Sequence, residues 1–221
     1  MKKTIGIISG AGAFAGLNLY SKLLNKFSTP GTSLDKDFPQ VILHNYPFSS
    51  IDQSGVVCPN LAKKEIEKSL QPLASCDKII LACNSLHNYI NDSRLMSLPL
   101  IGLQQFNQSN NTDKKALILC SESSKKQKIF GDYDSIVYQS DNLSKIGEEV
   151  ILRKISGIKF NELSYMNSVF KEAKTIKATH VIVGCTELSM LNWNKFPYPP
   201  YVLDCVDLII EEAFSWSKDI K

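Results

Sequence analysis

Two cysteines stand in short segments that repeat one another along the chain. Residues 78–85 (KIILACNS) and 180–187 (HVIVGCTE) each contain a polar residue, three aliphatic residues, a small residue, and then Cys83 or Cys185 followed by a hydrogen-bonding side chain. A thiol can accept or donate a proton once its pKa is adjusted. Two thiols in related settings therefore predict one acid and one base that face a shared substrate.

The predicted elements around the cysteines would place both thiols at strand ends. Each short aliphatic run is typical of a buried strand in an α/β protein, and the residues after it lie at the carboxyl edge of the sheet, where ligands bind. The residues that follow each cysteine can open a helix, and the N–H groups of a helix N-terminus favour the thiolate. We therefore expect the pKa of Cys83 and Cys185 to be lowered, from about 8.5 towards roughly 3.5–7.5.

Strands and helices alternate along the rest of the chain. The apolar patterning predicts strands at residues 4–8, 41–44, 78–82, 116–119, 136–138, 180–183 and 201–203, and helices at 15–27, 61–73, from about 86, 143–155, 161–174 and 206–217. The polar segment 45–59 is predicted to be a functional loop because it is long for a connection. This alternation predicts parallel sheets with right-handed crossovers.

The repeat also predicts two related halves. The two cysteines are separated by about the length of a small α/β domain, and residues 4–9 resemble residues 115–120 as an opening strand. We predict an α/β fold of two pseudo-symmetric parallel-sheet subdomains with the active site between them. The N-terminal half is residues 1–106, completed by the helix at 206–217, and the C-terminal half is residues 107–205.

Composition excludes several classes of protein. The 25 basic and 22 acidic residues leave a formal net charge of +3, and the lysines are scattered, so no nucleic-acid partner is expected. The six cysteines form no CxxC pair and no zinc-finger spacing, so they are expected to be reduced and to bind no metal. No stretch of about 20 apolar residues is present, so neither a membrane span nor a membrane partner is expected, and we expect a cytoplasmic protein.

Three motifs together resemble the aspartate/glutamate racemase superfamily, in particular its aspartate racemase branch. Residues 6–12 (GIISGAG) are similar to the Gly-rich opening of that branch, residues 82–87 (ACNSLH) to its first catalytic motif, and residues 184–188 (GCTEL) to its second, in the same order and spacing. The resemblance implies two flavodoxin-like halves, commonly in a homodimer, and an enzyme that needs no cofactor. It also implies inversion of the α-carbon of an acidic amino acid held between the cysteines.

The chemistry of inversion assigns the predicted roles. One base must remove the α-proton and an acid on the opposite face must return it, and Cys83 and Cys185 are the predicted catalytic pair. The predicted substrate-binding residues are Ser9, Gly10, Gly12, Asn84, Ser85, Thr186 and Glu187. Strand-end N–H groups with the side chains of Asn84, Ser85 and Thr186 would hold the carboxylate, and Glu187 would either orient Cys185 or bind the amino group.

Other interpretations of these residues stay open. Asn84, Ser85 and Thr186 are also good helix caps. His87 stands four residues after Cys83 and could bind a metal or act with that thiol, although simple packing on a helix is the plainer interpretation. The glycines at 10–16 depart from GxGxxG because the third falls one residue late, so no dinucleotide is expected.

The sequence leaves the substrate open. The aspartate racemase branch usually has an arginine in the loop after the second strand for the side-chain carboxylate, whereas residues 45–52 (NYPFSSID) contain none. The two arginines of the chain are Arg94 and Arg153. Three functions therefore stay in view: an amino-acid racemase, a thiol-dependent isomerase of a small dicarboxylic acid similar to maleate isomerase, and a non-catalytic ligand-binding protein on the same fold.

Overall fold

The computed structural model describes residues 3–28, 34–52, 55–108, 113–193 and 200–218, and its elements alternate as predicted. The strands are β1 (Thr4–Ser9), β2 (Gln40–Asn45), β3 (Ile51–Asp52), β4 (Gly55–Val56), β5 (Lys78–Leu81), β6 (Leu95–Met96), β7 (Ala116–Leu119), β8 (Ile136–Tyr138), β9 (His180–Val183) and β10 (Tyr201–Asp204). The α-helices are α1 (Ala13–Phe27), α2 (Pro59–Leu70), α3 (Leu98–Gln108), α4 (Glu122–Lys126), α5 (Asp141–Ile155), α6 (Glu162–Thr175) and α7 (Cys205–Lys218).

Two four-stranded parallel sheets carry the fold. The first sheet has the strand order β2-β1-β5-β6 and the second has the order β10-β9-β7-β8. In each sheet the opening strand lies between the next strand of its own half and the strand that precedes the cysteine. This shared order is the flavodoxin-like one and confirms the predicted α/β fold with two related sheets.

The sequence explains why these strands are central. All residues of β1, β7 and β9 are buried, as expected for apolar strands that helices cover on both faces. On α1, Leu19, Leu23 and Phe27 recur every four residues and are buried on one face against the first sheet. Packing of this kind holds the strand ends, and the residues that follow them, in fixed positions.

Two local predictions are wrong. The segment 45–59 is not one continuous loop, because β3 and β4 pair as a short antiparallel hairpin within it. The residues after Cys83 form a 3₁₀ helix, Asn84–Tyr89, rather than an α-helix, and a second 3₁₀ helix, Leu188–Met190, follows Cys185. Short 3₁₀ helices turn the chain quickly away from the strand ends.

The C-terminal helix packs across to the first half of the chain. Helix α7 contacts α1 and α3, the rings of Phe27 and Phe214 lie 4.9 Å apart, and Lys22 pairs with Asp207 at 2.7 Å. The predicted boundary after residue 106 falls in the last turn of α3. The assignment of the chain to two halves at that residue stays a prediction.

Within the described ranges, no helix combines the length and the apolar composition needed to cross a membrane.

Candidate active site

A cavity of about 270 Å³ lies where the carboxyl ends of the two sheets meet. Its lining includes Cys83 after β5 and Cys185 after β9, together with the turn after β1. The cavity is slightly smaller than the 300–1,000 Å³ or so of common ligand pockets. It therefore suits one small molecule.

Reciprocal hydrogen bonds place the two cysteine segments face to face. The side-chain amide of Asn84, directly after Cys83, donates to the carbonyl of Gly184, which directly precedes the other cysteine. In return the hydroxyl of Thr186, directly after Cys185, lies 3.2 Å from the carbonyl oxygen of Ala82 and donates to it. All these groups are buried, so the bonds form away from water. They hold together the two strand ends that carry Cys83 and Cys185, so that both cysteines line one cavity.

Glu187 contacts the second cysteine directly. The thiol of Cys185 donates to Glu187 Oε2 at 3.2 Å, and the hydroxyl of Thr186 lies 3.1 Å from the same oxygen. Gly12 makes room for this carboxyl group, because a Cβ there would lie 1.9 Å from Glu187 Oε1. Burial raises the pKa of Glu187, although the hydrogen bond from Cys185 and the nearby hydroxyl of Thr186 oppose the rise.

The expected lowering of the thiol pKa values is wrong. Burial, and then the negative charge of Glu187, raise the pKa of Cys83 to about 12 and hold that of Cys185 well above its ordinary value. Backbone N–H groups at Ser85 and Leu86 favour the Cys83 thiolate but only partly offset this rise. The helices after the cysteines are too short to supply a large helix-terminus field, and the opposing half removes water. Burial and the Glu187 carboxyl group therefore disfavour the thiolate form of both cysteines.

Three serine hydroxyls form a cluster on the cavity wall. Ser85 Oγ lies 2.8 Å from Ser121 Oγ and 3.0 Å from Ser124 Oγ, and the last two lie 3.1 Å apart. We call Ser85, Ser121 and Ser124 the hydroxyl cluster. The sequence analysis missed Ser121 and Ser124, although Ser121 follows β7 and so lies at a carboxyl edge. The similarity of β7 to β1 was the signal that could have found them.

The Gly-rich turn after β1 reaches the cavity through its backbone. Gly10 has a φ of +110°, and a Cβ there would lie 1.7 Å from the carbonyl oxygen of Tyr46. Gly10 and Gly12 both line the cavity. Ser9 does not line it, since its hydroxyl lies 3.3 Å from the carbonyl of Ala13 within the turn. The predicted substrate contact of Ser9 stays a prediction.

Only one end of the Asn84 side-chain amide forms a hydrogen bond. The amide oxygen of Asn84 is buried and has no hydrogen-bond partner among the described residues, while the amide nitrogen donates to the carbonyl of Gly184.

His87 Nδ1 lies 2.9 Å from the carbonyl of Cys83, and burial lowers the pKa of His87 to about 4. The lowered pKa favours the neutral imidazole, whose Nε2 is buried and has no hydrogen-bond partner among the described residues. The residues that the structure describes contain no cluster of three or more metal-ligating side chains.

Apolar side chains complete the cavity. Helix α5 contributes Ile151, Leu152 and Ile155, and the segment before and within β3 contributes Phe48 and Ile51. We call these five residues the apolar wall. The segment 45–59 was singled out in the sequence as functional, but nothing in the periodicity of α5 distinguishes its cavity-facing residues from ordinary surface residues.

No protein-family model matches the chain. Solved structures do match it over almost its full length. An aspartate racemase homologue from Pyrococcus horikoshii superposes with a TM-score of 0.71 at 18% identity, covering 99% of this chain and 100% of that chain. Aspartate racemase from Picrophilus torridus gives 0.67 at 16% identity, with 97% and 94% covered. Glutamate racemase from Campylobacter jejuni gives 0.67 at 18% identity, with 99% and 87% covered. The chain has the fold of these proteins, which confirms the fold that the motif resemblance implied.

Proposed function

We propose that the protein is an amino-acid racemase that needs no cofactor and uses Cys83 and Cys185 as the acid–base pair. The observation that carries this proposal is the reciprocal pair of hydrogen bonds, from Asn84 to Gly184 and from Thr186 to Ala82, because it sets two thiols across one small cavity. Racemases among the solved structures with this fold support the reaction class.

The reaction consists of two proton transfers. As the substrate binds, one thiol first loses its proton to solvent. The resulting thiolate removes the α-proton, and the electron pair of the C–H bond passes to the α-carbon and its carboxylate. The thiol of the other cysteine then donates its proton to the opposite face, and the two sulfurs exchange protonation states. The reverse reaction uses the same residues in exchanged roles.

The hydroxyl cluster, Asn84 and Glu187 can bind the α-carboxylate and the α-ammonium group that every amino acid has. The hydroxyl cluster and the nearby backbone N–H groups supply donors for the α-carboxylate and for the charge that develops on it. The unpartnered amide oxygen of Asn84 and the carboxyl group of Glu187 supply acceptors for the ammonium group. A buried acceptor without a partner costs about 1–3 kcal/mol, and a bound ammonium would remove that cost.

The high thiol pKa values suggest that the substrate activates the site. Burial and the Glu187 charge disfavour the thiolate of both cysteines. An ammonium group beside Glu187 offsets that charge, which lowers the free energy of a neighbouring thiolate. Proton transfer would thus be coupled to substrate binding.

An amino acid fits this lining better than a dicarboxylic acid does. The isomerase alternative would place two carboxylates in a cavity lined by the carboxyl groups of Glu148 and Glu187. An amino acid instead brings one positive charge to those groups. A homodimer, which the motif resemblance implies, and a cytoplasmic location, which the apolar patterning of the sequence predicts, also belong to this proposal.

Single substitutions of the two cysteines test the proposal. Cys83→Ser and Cys185→Ser should each lower racemisation by on the order of 10²–10⁴-fold, because a serine hydroxyl is a far weaker acid–base group at neutral pH. Each variant keeps one thiol on one face. In heavy water the two variants should therefore exchange the α-proton of opposite enantiomers, measured by NMR.

Cys58→Ser is the matched control, since Cys58 is exposed and lies outside the cavity. It should racemise at the wild-type rate. Full racemisation by either cavity variant would overturn the two-thiol mechanism.

A further inference from the structure

The cavity has two chemically distinct walls. The hydroxyl cluster, Asn84 and Glu187 form a polar wall. Its hydrogen-bonding groups match the α-carboxylate and the α-ammonium group, which all amino acids have. The apolar wall faces them with five large side chains, from helix α5 and from the segment around β3. The apolar wall is therefore left to contact the part of the substrate that varies, its side chain.

The charges around the cavity are negative. Glu148 and Glu187 belong to the lining, which contains no lysine, arginine or histidine among the described residues. Both arginines bind other groups. Arg94 pairs with Asp92 at 2.7 Å and donates to backbone carbonyls, and Arg153 forms an ion pair with Glu149 on the exposed side of α5.

Two residues of the apolar wall keep part of their surface exposed to solvent. Leu152 and Ile155 keep 37% and 39% of their surface exposed although they line a cavity. Covering such surface with another apolar group is favourable, because apolar area is removed from water. A substrate side chain that lies against α5 would gain this free energy.

We propose that the site takes an α-amino acid with an uncharged, apolar side chain of about the size of leucine. This inference rests on the proposed function, because it assumes that the α-carbon lies between Cys83 and Cys185. An aspartate or glutamate side chain would lose its hydration against the apolar wall and would face carboxyl groups instead of a cation. The negative lining and the apolar wall thus select against acidic amino acids.

Equilibrium binding to the wild-type protein tests the inference separately from catalysis. Isothermal titration with leucine, aspartate and lysine, in both enantiomers, would accompany NMR measurement of α-proton exchange in heavy water. We expect leucine to bind about 10- to 100-fold more tightly than aspartate, the factor that corresponds to burial of one aliphatic side chain.

Two alanine variants test whether the apolar wall causes the preference for leucine. Leu152→Ala should weaken leucine binding about threefold to tenfold, because methylene groups of the wall are removed. Leu163→Ala is the matched control, since Leu163 is a leucine of similar exposure on α6 and lies outside the cavity. It should bind leucine as the wild type does.

Each outcome separates the two proposals. Leucine binding without α-proton exchange would support the inferred specificity and overturn the racemase function. Exchange on aspartate, with weaker binding of leucine, would support the racemase and overturn the specificity. A preference for lysine would also overturn it, because the carboxyl groups of the lining would then dominate over the apolar wall. Failure of all three amino acids to bind would overturn the specificity as well.

Discussion

At the scale of single residues, the electrostatics of the site centre on Glu187. Its carboxyl group accepts a hydrogen bond from Cys185, and its charge raises the pKa of both cavity thiols. Gly12 keeps open the space that this group occupies. A residue so placed orients one thiol, and its charge adds to the effect of burial in disfavouring the thiolate of both cysteines.

Replacing Glu187 by glutamine should increase the reactivity of Cys83. Glutamine keeps the shape and an acceptor oxygen but removes the charge, so the pKa of Cys83 should fall from about 12. We expect alkylation of Cys83 by iodoacetamide at pH 8 to accelerate about threefold to tenfold, since one pKa unit changes the thiolate fraction tenfold. Mass spectrometry of the labelled peptide measures the rate.

Glu148→Gln is the control, because Glu148 lines the same cavity but is not among the groups that shift the pKa of Cys83. It should leave the alkylation rate unchanged. Equal acceleration by both variants would show that cavity access, not the Glu187 charge, limits the reaction. In the wild type the exposed Cys58 should be labelled before either cavity thiol.

At the scale of elements, the turn between β1 and α1 depends on the absence of a side chain at Gly10. The backbone N–H of Tyr46 donates to Ser9 at 3.0 Å, and the carbonyl of Tyr46 lies against Gly10. This close approach joins the end of β2 to the turn that lines the cavity. The Gly-rich motif is thus a packing device that brings backbone to the site.

Gly10→Ala should destabilise the protein by several kcal/mol. The new Cβ would lie 1.7 Å from a backbone oxygen that cannot rotate away, and the φ of +110° is itself unfavourable for alanine. Gly157→Ala is the control, because Gly157 has a φ of +68° but nothing within 4 Å. It should cost only about 1–2 kcal/mol, the penalty of a left-handed conformation. Urea unfolding gives both values, and similar values for the two variants would contradict the steric argument.

At the scale of the whole molecule, Glu65 joins helix α2 to the segment that carries Phe48 and Ile51. Its carboxylate accepts from the N–H of Ser49 and the N–H of Ser50, each at 3.0 Å, and from the hydroxyl of Ser49 at 2.5 Å. Burial raises the pKa of Glu65, but these hydrogen bonds outweigh burial and leave that pKa below its ordinary value. Folding therefore favours the ionised form of Glu65.

This coupling predicts how the stability of the fold depends on pH. A carboxyl group with a lowered pKa in the folded state stabilises the protein above its unfolded pKa of about 4.3, and the contribution is lost as the pH falls through the folded value. Glu65→Gln should lower the free energy of unfolding by about 1–3 kcal/mol at pH 7, the usual range for hydrogen bonds to a charged group. The difference from the wild type should shrink below pH 4.

Glu67→Gln serves as the control for this measurement, since Glu67 is exposed on the same helix. Urea titrations from pH 3 to pH 7 should show little change for it. A Glu65→Gln variant that is as stable as the wild type at neutral pH would contradict the role given to the Ser49 and Ser50 hydrogen bonds.

The sequence by itself determined the strands and the residues at their ends. Short aliphatic runs followed by polar residues identify β5 and β9, and any parallel sheet places Cys83, Asn84, Cys185 and Thr186 at its carboxyl edge. The repeat of these runs was sufficient to predict two related sheets. These inferences hold because hydrophobic periodicity and strand direction are local properties of the chain.

Only the tertiary structure decided the state of the thiols and the character of the cavity. The pKa of each cysteine depends on the water that the opposing half removes and on the carboxyl group of Glu187. The sequence showed only that a helix could follow each cysteine, and from this we predicted a lowered pKa, whereas the pKa is raised. The hydroxyl cluster and the apolar wall likewise join side chains from distant parts of the chain. No local pattern specifies such pairs, because the packing of the two sheets against each other determines which residues meet.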